Sequence, residues 1–160
     1  MADLKGIIAA YGSGLARVAA SYEADAALQE DLLQDILLAI HRALPTLKDE
    51  ARLGPFVFRI AHNRSVTHVM QRSAERTRAV PVQSEEETET PEQVLLADER
   101  SRRVALVVRR LPLPYRQVMT LLLEELSYAE IAEALGLSLS NVGGRVNRAK
   151  AQLKALLDDE

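Results

Sequence analysis

The chain has 160 residues, a formal net charge of −3, 48% hydrophobic residues, 4% aromatic residues and no cysteine. This length suits one medium domain or two small ones, and the lack of cysteine excludes disulfides and thiolate metal sites. No apolar run approaches the roughly 20 residues of a membrane span, and the N-terminus with Asp3 makes a poor signal peptide. We therefore expect a cytoplasmic protein without membrane insertion.

Helical periodicity dominates the N-terminal half. Residues 4–20 and 27–44 are predicted helices, and the apolar stripe of the second consists of Leu33, Ile36, Leu37, Ile40 and Leu44. Pro45 ends this helix, because the residue before a proline avoids the helical region. A loop follows over residues 45–54. Pro55 suits a helix first turn, so a third helix is predicted over residues 55–73.

A change of composition separates the two halves of the chain. Residues 76–100 carry 3 basic and 7 acidic side chains, a net charge of −4, and the stretch 76–93 holds two prolines and few large apolar residues. This composition indicates a linker without a core of its own. Helices are predicted again over residues 94–110 and 114–125. The expected fold class is therefore all-α, with two small helical domains at residues 1–75 and 96–160 joined by a flexible acidic linker at 76–95.

The stretch "SYAEIAEALGLSLSNVGGRVNRAK", residues 127–150, has the pattern of a helix-turn-helix. Ser127 and Glu130 form a capping-box pattern, Gly136 suits the left-handed turn that ends a helix, and Ser138 is a second N-cap candidate. Apolar residues then recur at helical spacing: Val142, Val146, Ala149, Leu153 and Leu156. With this stripe buried, six positions face outward: Ser140, Asn141, Gly144, Arg145, Asn147 and Arg148. The pattern favours DNA binding over an ordinary helical hairpin with a basic surface.

Charges in the N-terminal half occur in blocks of one sign. All five charges from Glu23 to Asp35 are negative, and all four from Arg52 to Arg72 are positive. One face of the second helix presents Asp31, Gln34, Asp35 and Leu38, a plausible surface for contact with a protein. The third helix carries a ridge of Arg64, His68 and Arg72 with Arg59 and Asn63 nearby, which could follow a phosphate backbone. The alternative for both faces is a solvated helix surface.

The resemblance to a known family rests on three stretches. "LPLPYRQVMTLLLEELSYAEIAEALGLSLSNVGGRVNRAKAQLKALL" resembles the minus-35-reading domain of bacterial sigma factors. "EDLLQDILLAIHRAL" is similar to their polymerase-binding helix, and "EARLGPFVFRIAHNRSVTHVMQR" to their minus-10-reading helix. The order of these parts and the length near 160 resemble the extracytoplasmic-function (ECF) group of the sigma-70 family, with a sigma-two-like and a sigma-four-like domain.

This resemblance implies an alternative sigma factor that directs promoter-specific initiation by core RNA polymerase. It assigns to Asp31, Gln34, Asp35 and Leu38 the binding of the polymerase β′ clamp helices, and it implies further contacts to the β subunit. It assigns binding of the minus-10 element to the loop at 48–54 and the third helix. The residues concerned are Lys48, Arg52, Arg59, Asn63, Arg64, His68 and Arg72. It assigns binding of the minus-35 element to Ser140, Asn141, Gly144, Arg145 and Arg148. An anti-sigma factor is an expected partner, the nucleoid is the expected location, and no cofactor is expected.

Two departures from the family pattern leave questions open. Phe56 stands where the family usually holds a tryptophan, and Gly143 and Gly144 stand where the family usually has a basic residue and a serine. Either Gly144 allows close approach to a phosphate while Arg145 reads the groove, or the glycines weaken minus-35 recognition. The acidic linker is either a plain tether or a mimic of RNA in the polymerase channel.

Three other functions remain as alternatives. An operator-binding regulator would bind a duplex alone, often as a dimer on a two-fold site. An interaction protein with degenerate DNA contacts would bind polymerase without directing initiation. A metal-dependent nuclease would use the carboxylates of residues 23–35, but no nucleophile–base pair or metal cluster appears in the sequence, so an enzyme is not expected.

Overall fold

The protein, seen here as a computed structural model, is helical throughout the residues that the structure describes, 2–78 and 99–158. Seven α-helices and no strand occur in these ranges. They are α1 (Leu4–Tyr22), α2 (Ala26–Ala43), α3 (Leu53–Arg78), α4 (Glu99–Arg109), α5 (Leu113–Leu123), α6 (Tyr128–Leu135) and α7 (Leu139–Asp158). The predicted all-α class is confirmed. Most of the predicted linker at 76–95 lies outside the described residues, so the predicted domain boundaries stay predictions.

The first three helices form one packed unit. Asp3 and Asp25 cap α1 and α2, because their carboxylates accept hydrogen bonds from the backbone N–H groups of Gly6 at 2.8 Å and Leu28 at 3.0 Å. Of the predicted apolar stripe of α2, Ile36 and Ile40 are fully buried and the three leucines are half-buried. The predicted loop at 45–54 contains two short 3-10 turns, Leu44–Thr46 and Glu50–Arg52, and α3 begins two residues before Pro55.

Helices α4 to α7 form the second unit, in which α7 packs against α4, α5 and α6. Its buried centre contains Val118, Leu121, Ile131, Val142 and Val146, all of them fully buried. The buried residues of α7 are those that the sequence stripe predicts at its start, while Leu153 and Leu156 are half-buried. No helix in the described part of the chain is both long and apolar enough to span a bilayer.

The two units share one hydrophobic core. Helix α1 packs against α4 and α5 as well as against α2 and α3, and α3 packs against α6. The buried apolar cluster runs without interruption from residues of α1, such as Leu15, to residues of α5 and α7, such as Val118 and Val146. The sequence predicts two helical domains on a tether, but it does not predict that they pack together.

A buried carboxylate joins the α1–α2 junction to α3. The side chain of Glu23 is only 4% exposed, and its Oε1 lies 2.9 Å from Nε2 of His68 and 2.8 Å from Nε of Arg72. Its Oε2 accepts the backbone N–H of Asp25 at 2.9 Å. Glu23 therefore holds the second half of α3 against the end of α1 through His68 and Arg72, and its bond to Asp25 fixes the carboxylate in the turn before α2.

His62, on the buried side of α3, is held in its neutral form. It is 8% exposed, and burial, which penalises the charged form, lowers the pKa of its imidazole from the ordinary 6.5 to about 4. Its buried Nδ1 has no hydrogen-bond partner within the described residues. Protonation of His62 would therefore place a positive charge in the core, and the N–H at Nδ1 would find no acceptor among the described residues.

We expect Glu23→Gln to destabilise the protein by about 2–3 kcal/mol, because the buried partner of Arg72 and His68 loses its negative charge. Urea unfolding at pH 7 measures this change. Glu30→Gln is the matched control, because Glu30 is exposed on α2. Equal stabilities of the two variants would contradict a structural role for the Glu23 cluster.

We expect the stability contribution of neutral His62 to be complete above pH 6.5 and to be lost as the pH falls toward 4. The folded-state pKa lies below the unfolded value, so protons bind preferentially to the unfolded chain, at a cost of up to about 3 kcal/mol. Urea unfolding between pH 7 and 4 should show a shallower acid loss for His62→Gln. His41→Gln, at an exposed histidine, should follow the wild type; if His62→Gln does the same, His62 is not the titrating group.

Candidate DNA and polymerase interfaces

Helices α6 and α7 form the helix-turn-helix that the sequence predicts. The capping box is present, because the Ser127 hydroxyl accepts the Glu130 N–H at 3.1 Å and the Glu130 carboxylate accepts the Ser127 N–H at 2.9 Å. Gly136 ends α6 in the left-handed region with φ +67°. The Ser138 hydroxyl accepts the N–H of Asn141 at 3.1 Å and so caps the start of α7. These local contacts set the angle at which α7 leaves the turn.

The outward face of α7 is polar and basic, as the sequence predicts. Val142, Val146 and Ala149 are fully buried. Ser140, Asn141, Asn147 and Arg148 are exposed, and Gly144 and Arg145 are half-buried. The Nε of Arg145 donates to Oδ1 of Asn141 at 3.1 Å, so these two side chains are held together one turn apart. This face therefore presents polar and cationic side chains that can bind a duplex groove or a row of phosphates.

The two glycines of α7 have different surroundings. A Cβ placed on Gly144 would lie 3.4 Å from Nη1 and 3.6 Å from Nη2 of Arg148, whereas a Cβ on Gly143 would have no neighbour within 4 Å. The guanidinium of Arg148 therefore lies over Gly144, one turn nearer the start of the helix. Helix α7 is continuous through both glycines.

Helix α2 presents the predicted protein-contact surface. Asp31, Gln34 and Leu38 are exposed, with Leu38 46% exposed. Beside them a groove runs between α2 and α3, lined by Asp35, Leu38, Ala39, Arg42, Ala43 and Arg64. An apolar side chain beside a groove with a charged rim is the kind of surface that receives an anchor residue of a partner protein.

Asp35 and Arg64 form an ion pair across this groove. The Nε and Nη2 atoms of Arg64 donate to the two carboxylate oxygens of Asp35 at 2.8 and 3.1 Å. The family resemblance assigns polymerase binding to Asp35 and DNA binding to Arg64, whereas in the structure these two side chains bind each other. Both side chains are about two-fifths exposed, so the pair is weak enough to exchange for other contacts.

The residues predicted to contact minus-10 DNA divide into two groups. Lys48, Arg59 and Asn63 are exposed. The remaining side chains have carboxylate partners: Arg52 with Glu133 of α6, Arg64 with Asp35, and His68 and Arg72 with Glu23. Sequence reasoning placed Glu23 in an acidic surface block and so missed its buried role. Its position between two predicted helices, beside apolar Tyr22, was the available signal.

The acidic block of residues 23–35 therefore does not form one surface. Glu23 is buried, Asp25 is exposed but caps α2, Asp35 pairs with Arg64, and Glu30 and Asp31 are exposed. Within the described residues, no group of three or more histidine, cysteine or acidic side chains could hold a metal ion. The geometry suits contacts with a protein surface and with a nucleic-acid backbone.

Comparison with known proteins finds two family models, one in each half of the chain. A family model described as Sigma-70 region 2 matches residues 7–75, and one described as Sigma-70, region 4 matches residues 101–153. The chain is 30% identical over 141 residues to RNA polymerase sigma factor SigZ of Bacillus subtilis strain 168, which covers 84% of this chain and 75% of SigZ.

Two solved structures share the fold. CnrH in complex with the cytosolic domain of CnrY has a TM-score of 0.71 and 28% identity, over 98% of this chain and 88% of CnrH. The sigma factor RpoE in complex with the anti-sigma factor NepR from Bartonella quintana has a TM-score of 0.73 over 96% of each chain, at 20% identity. With both sigma-70 regions matched in order on one chain, the protein belongs to the sigma-70 family of RNA polymerase sigma factors, in its ECF group.

Proposed function

We propose that this protein is an alternative sigma factor that binds core RNA polymerase and directs initiation at promoters with a minus-10 and a minus-35 element. The observation that carries the proposal is the presence, on one chain, of the exposed α2 surface and the helix-turn-helix with a basic outward face. The protein would act without enzymatic activity of its own, in the cytoplasm and at the nucleoid, where the polymerase meets DNA.

The polymerase contact is proposed to centre on Asp31, Gln34 and Leu38. These exposed side chains combine negative charge with an apolar anchor, which suits the β′ clamp helices. Asp35 takes part through the groove, where Arg64 already holds its carboxylate. Contacts to the β subunit and to an anti-sigma partner follow from the family.

The minus-10 contact is proposed to begin with Lys48, Arg59 and Asn63, which are exposed on the loop and the first turns of α3. Arg52 and Arg64 would join them by exchanging an exposed carboxylate for a phosphate, because surface ion pairs contribute only about 0–1 kcal/mol. His68 and Arg72 would keep their buried partner Glu23 and shape α3. Their contribution to DNA binding would then be to hold α3 in position.

The minus-35 contact is proposed to use the outward face of α7, through Ser140, Asn141, Gly144, Arg145 and Arg148. The first turn of the helix offers backbone N–H groups to a phosphate. The two arginines can reach guanine edges. We infer that this glycine sets the reach of Arg148: a Cβ there would make only ordinary contact with the guanidinium, but a longer side chain would compete with it for the same space.

Run-off transcription with purified bacterial core polymerase tests the proposal. The template is fragmented genomic DNA of the source organism, with and without this protein. Transcripts that start downstream of a shared two-part motif are expected only with the protein. Core binding without such transcripts would favour an interaction protein. Duplex binding without core binding would favour an operator-binding regulator.

We expect Asp31→Arg and Leu38→Ala each to weaken core binding at least about tenfold, because one reverses a charge in the surface and the other removes its apolar anchor. Fluorescence anisotropy of labelled protein titrated with core polymerase measures the affinity. Asp158→Arg makes the same charge change at an exposed position of α7 and should bind as the wild type does. Unchanged affinity in both α2 variants would show that core polymerase does not bind this surface.

We expect the contribution of Arg148 to promoter recognition to depend on Gly144. Arg148→Ala should slow initiation about 5- to 100-fold at a promoter with its minus-35 element, the range of a good guanine contact. In a Gly144→Gln background the same change should have an effect below about twofold, because the guanidinium is already displaced. Gly143→Gln is the matched control, since that position faces open space, and there the full Arg148 effect should remain. Equal Arg148 effects in both backgrounds would show that Gly144 does not position it.

A further inference from the structure

The loop proposed to contact minus-10 DNA has little interior packing of its own. Residues 48–52 are all exposed, and the chain becomes half-buried only at residues 53–56, where α3 begins. Within the loop, the Asp49 carboxylate accepts the N–H of Ala51 at 3.0 Å, and the Asp49 carbonyl accepts the N–H of Arg52 at 3.0 Å. These bonds shape a single exposed turn. A turn with so few buried contacts takes its orientation from neighbouring elements.

Helix α1 and the residues before it supply two such contacts. A Cβ on Gly54 would lie 3.3 Å from Oη, 3.8 Å from Cε1 and 3.9 Å from Cζ of Tyr11. The ring edge of Tyr11 therefore rests on the backbone at Gly54, and the absence of a side chain there permits the approach. Just before α1, the backbone N–H of Ala2 donates to Oε1 of Glu50 at 3.0 Å. The loop is thus held at its exposed turn and at its junction with α3.

A buried ring fixes the direction of the Tyr11 side chain. The rings of Tyr11 and Phe58 meet edge to face, with centroids 5.9 Å apart and planes at 86°. Phe58 lies in the first turns of α3 and is only 5% exposed, so Tyr11 packs against a well-held neighbour. The Tyr11 hydroxyl makes no hydrogen bond to any residue that the structure describes. Tyr11 therefore acts on the loop through the packing of its ring.

The junction at Gly54 lies between the side chains proposed to contact minus-10 DNA. Lys48 precedes it in the loop, whereas Arg59 and Asn63 follow it on α3, and all three are exposed. Phosphates recur along a DNA strand at a fixed spacing, so cations on two elements can bind one strand together only if those elements keep their relative position. A support at Gly54 therefore controls whether Lys48 and Arg59 can engage the same stretch of DNA.

We propose that Tyr11 is a positioning residue for minus-10 recognition, because its ring supports Gly54 and so sets the place of the 48–54 loop relative to α3. Tyr11 acts through the loop and does not contact the DNA itself. This role rests on the proposed function, which supplies the DNA contacts of Lys48 and Arg59.

The salt dependence of promoter binding tests this role. A labelled fragment of the promoter found by run-off transcription is titrated, at a series of salt concentrations, with holoenzyme assembled from core polymerase and the full-length protein. In the wild-type background, Lys48→Ala should lower the slope of log affinity against log salt by about 1, the loss of one phosphate contact. In a Tyr11→Ala background, the same change should lower the slope by less than about 0.3, because the loop no longer holds Lys48 against the DNA.

Three further variants separate positioning from a general loss of structure. Tyr11→Phe keeps the ring and should restore the full Lys48 effect. Tyr115→Ala removes another half-buried tyrosine ring, on α5, and should leave the Lys48 effect complete. Arg148→Ala, on the outward face of α7, should lower the affinity by the same factor with and without Tyr11→Ala.

Gly54→Leu makes the same comparison with Tyr11 in place, and it carries the test if Tyr11→Ala does not fold in urea unfolding experiments. A leucine at this position would occupy the space of the Tyr11 ring and push the ring away from the junction. The Lys48 effect should therefore fall as it does with Tyr11→Ala.

The outcomes tell failure of the positioning role apart from failure of the proposed function. A full Lys48 effect in the Tyr11→Ala or Gly54→Leu variant would overturn the positioning role alone. The same holds if Tyr11→Phe is as defective as Tyr11→Ala, or if the Arg148 effect is lost together with the Lys48 effect. Promoter binding that does not respond to Lys48→Ala in the wild-type background would overturn the proposed loop contact and the positioning role together.

Discussion

The packing of α1 on both of its sides is the constraint on which the rest of the structure depends. Residues 14–16 and 18–22 of this helix are all buried, although only part of them would face α2 and α3. A helix buried all round needs neighbours on every side, and α4 and α5 supply the remaining ones. Small residues such as Gly14, Ala19 and Ala20 let those neighbours approach. The placement of α3 relative to the helix-turn-helix follows from this one helix.

Ion pairing between helices decides which charges are available to partners. The blocks of like charge in the sequence suggest separate acidic and basic surfaces, yet the folded chain pairs members of one block with members of the other. Burial then ranks these pairs: Arg64–Asp35 is exposed and easily exchanged, whereas Glu23 is held in the interior with His68 and Arg72. Among the cations predicted to contact minus-10 DNA, Lys48 and Arg59 are the ones without a carboxylate partner in the described part of the chain, and they lie in the loop before α3 and at its start.

Features that depend on neighbours in sequence could be predicted, and features that depend on distant contacts could not. The capping box, the Gly136 turn and the buried stripe of α7 follow from residues within one or two turns of each other, and all three are confirmed. Glu23 is 45 residues from His68, and Arg17 is 107 residues from Glu124, so no periodicity connects them. The run of small and apolar residues at 14–22 was the one local sign that α1 has neighbours on more than one side.

Two glycines show how the absence of a side chain can place a charge. Gly14 admits the Glu124 carboxylate to α1, and Gly144 lies beneath the Arg148 guanidinium. Both positions lie within helices, where glycine costs about 0.5–1 kcal/mol relative to alanine, so propensity argues against each of them. Glu124 is only 7% exposed, whereas Arg148 is exposed, so Gly14 places a charge inside the protein and Gly144 places one at its surface.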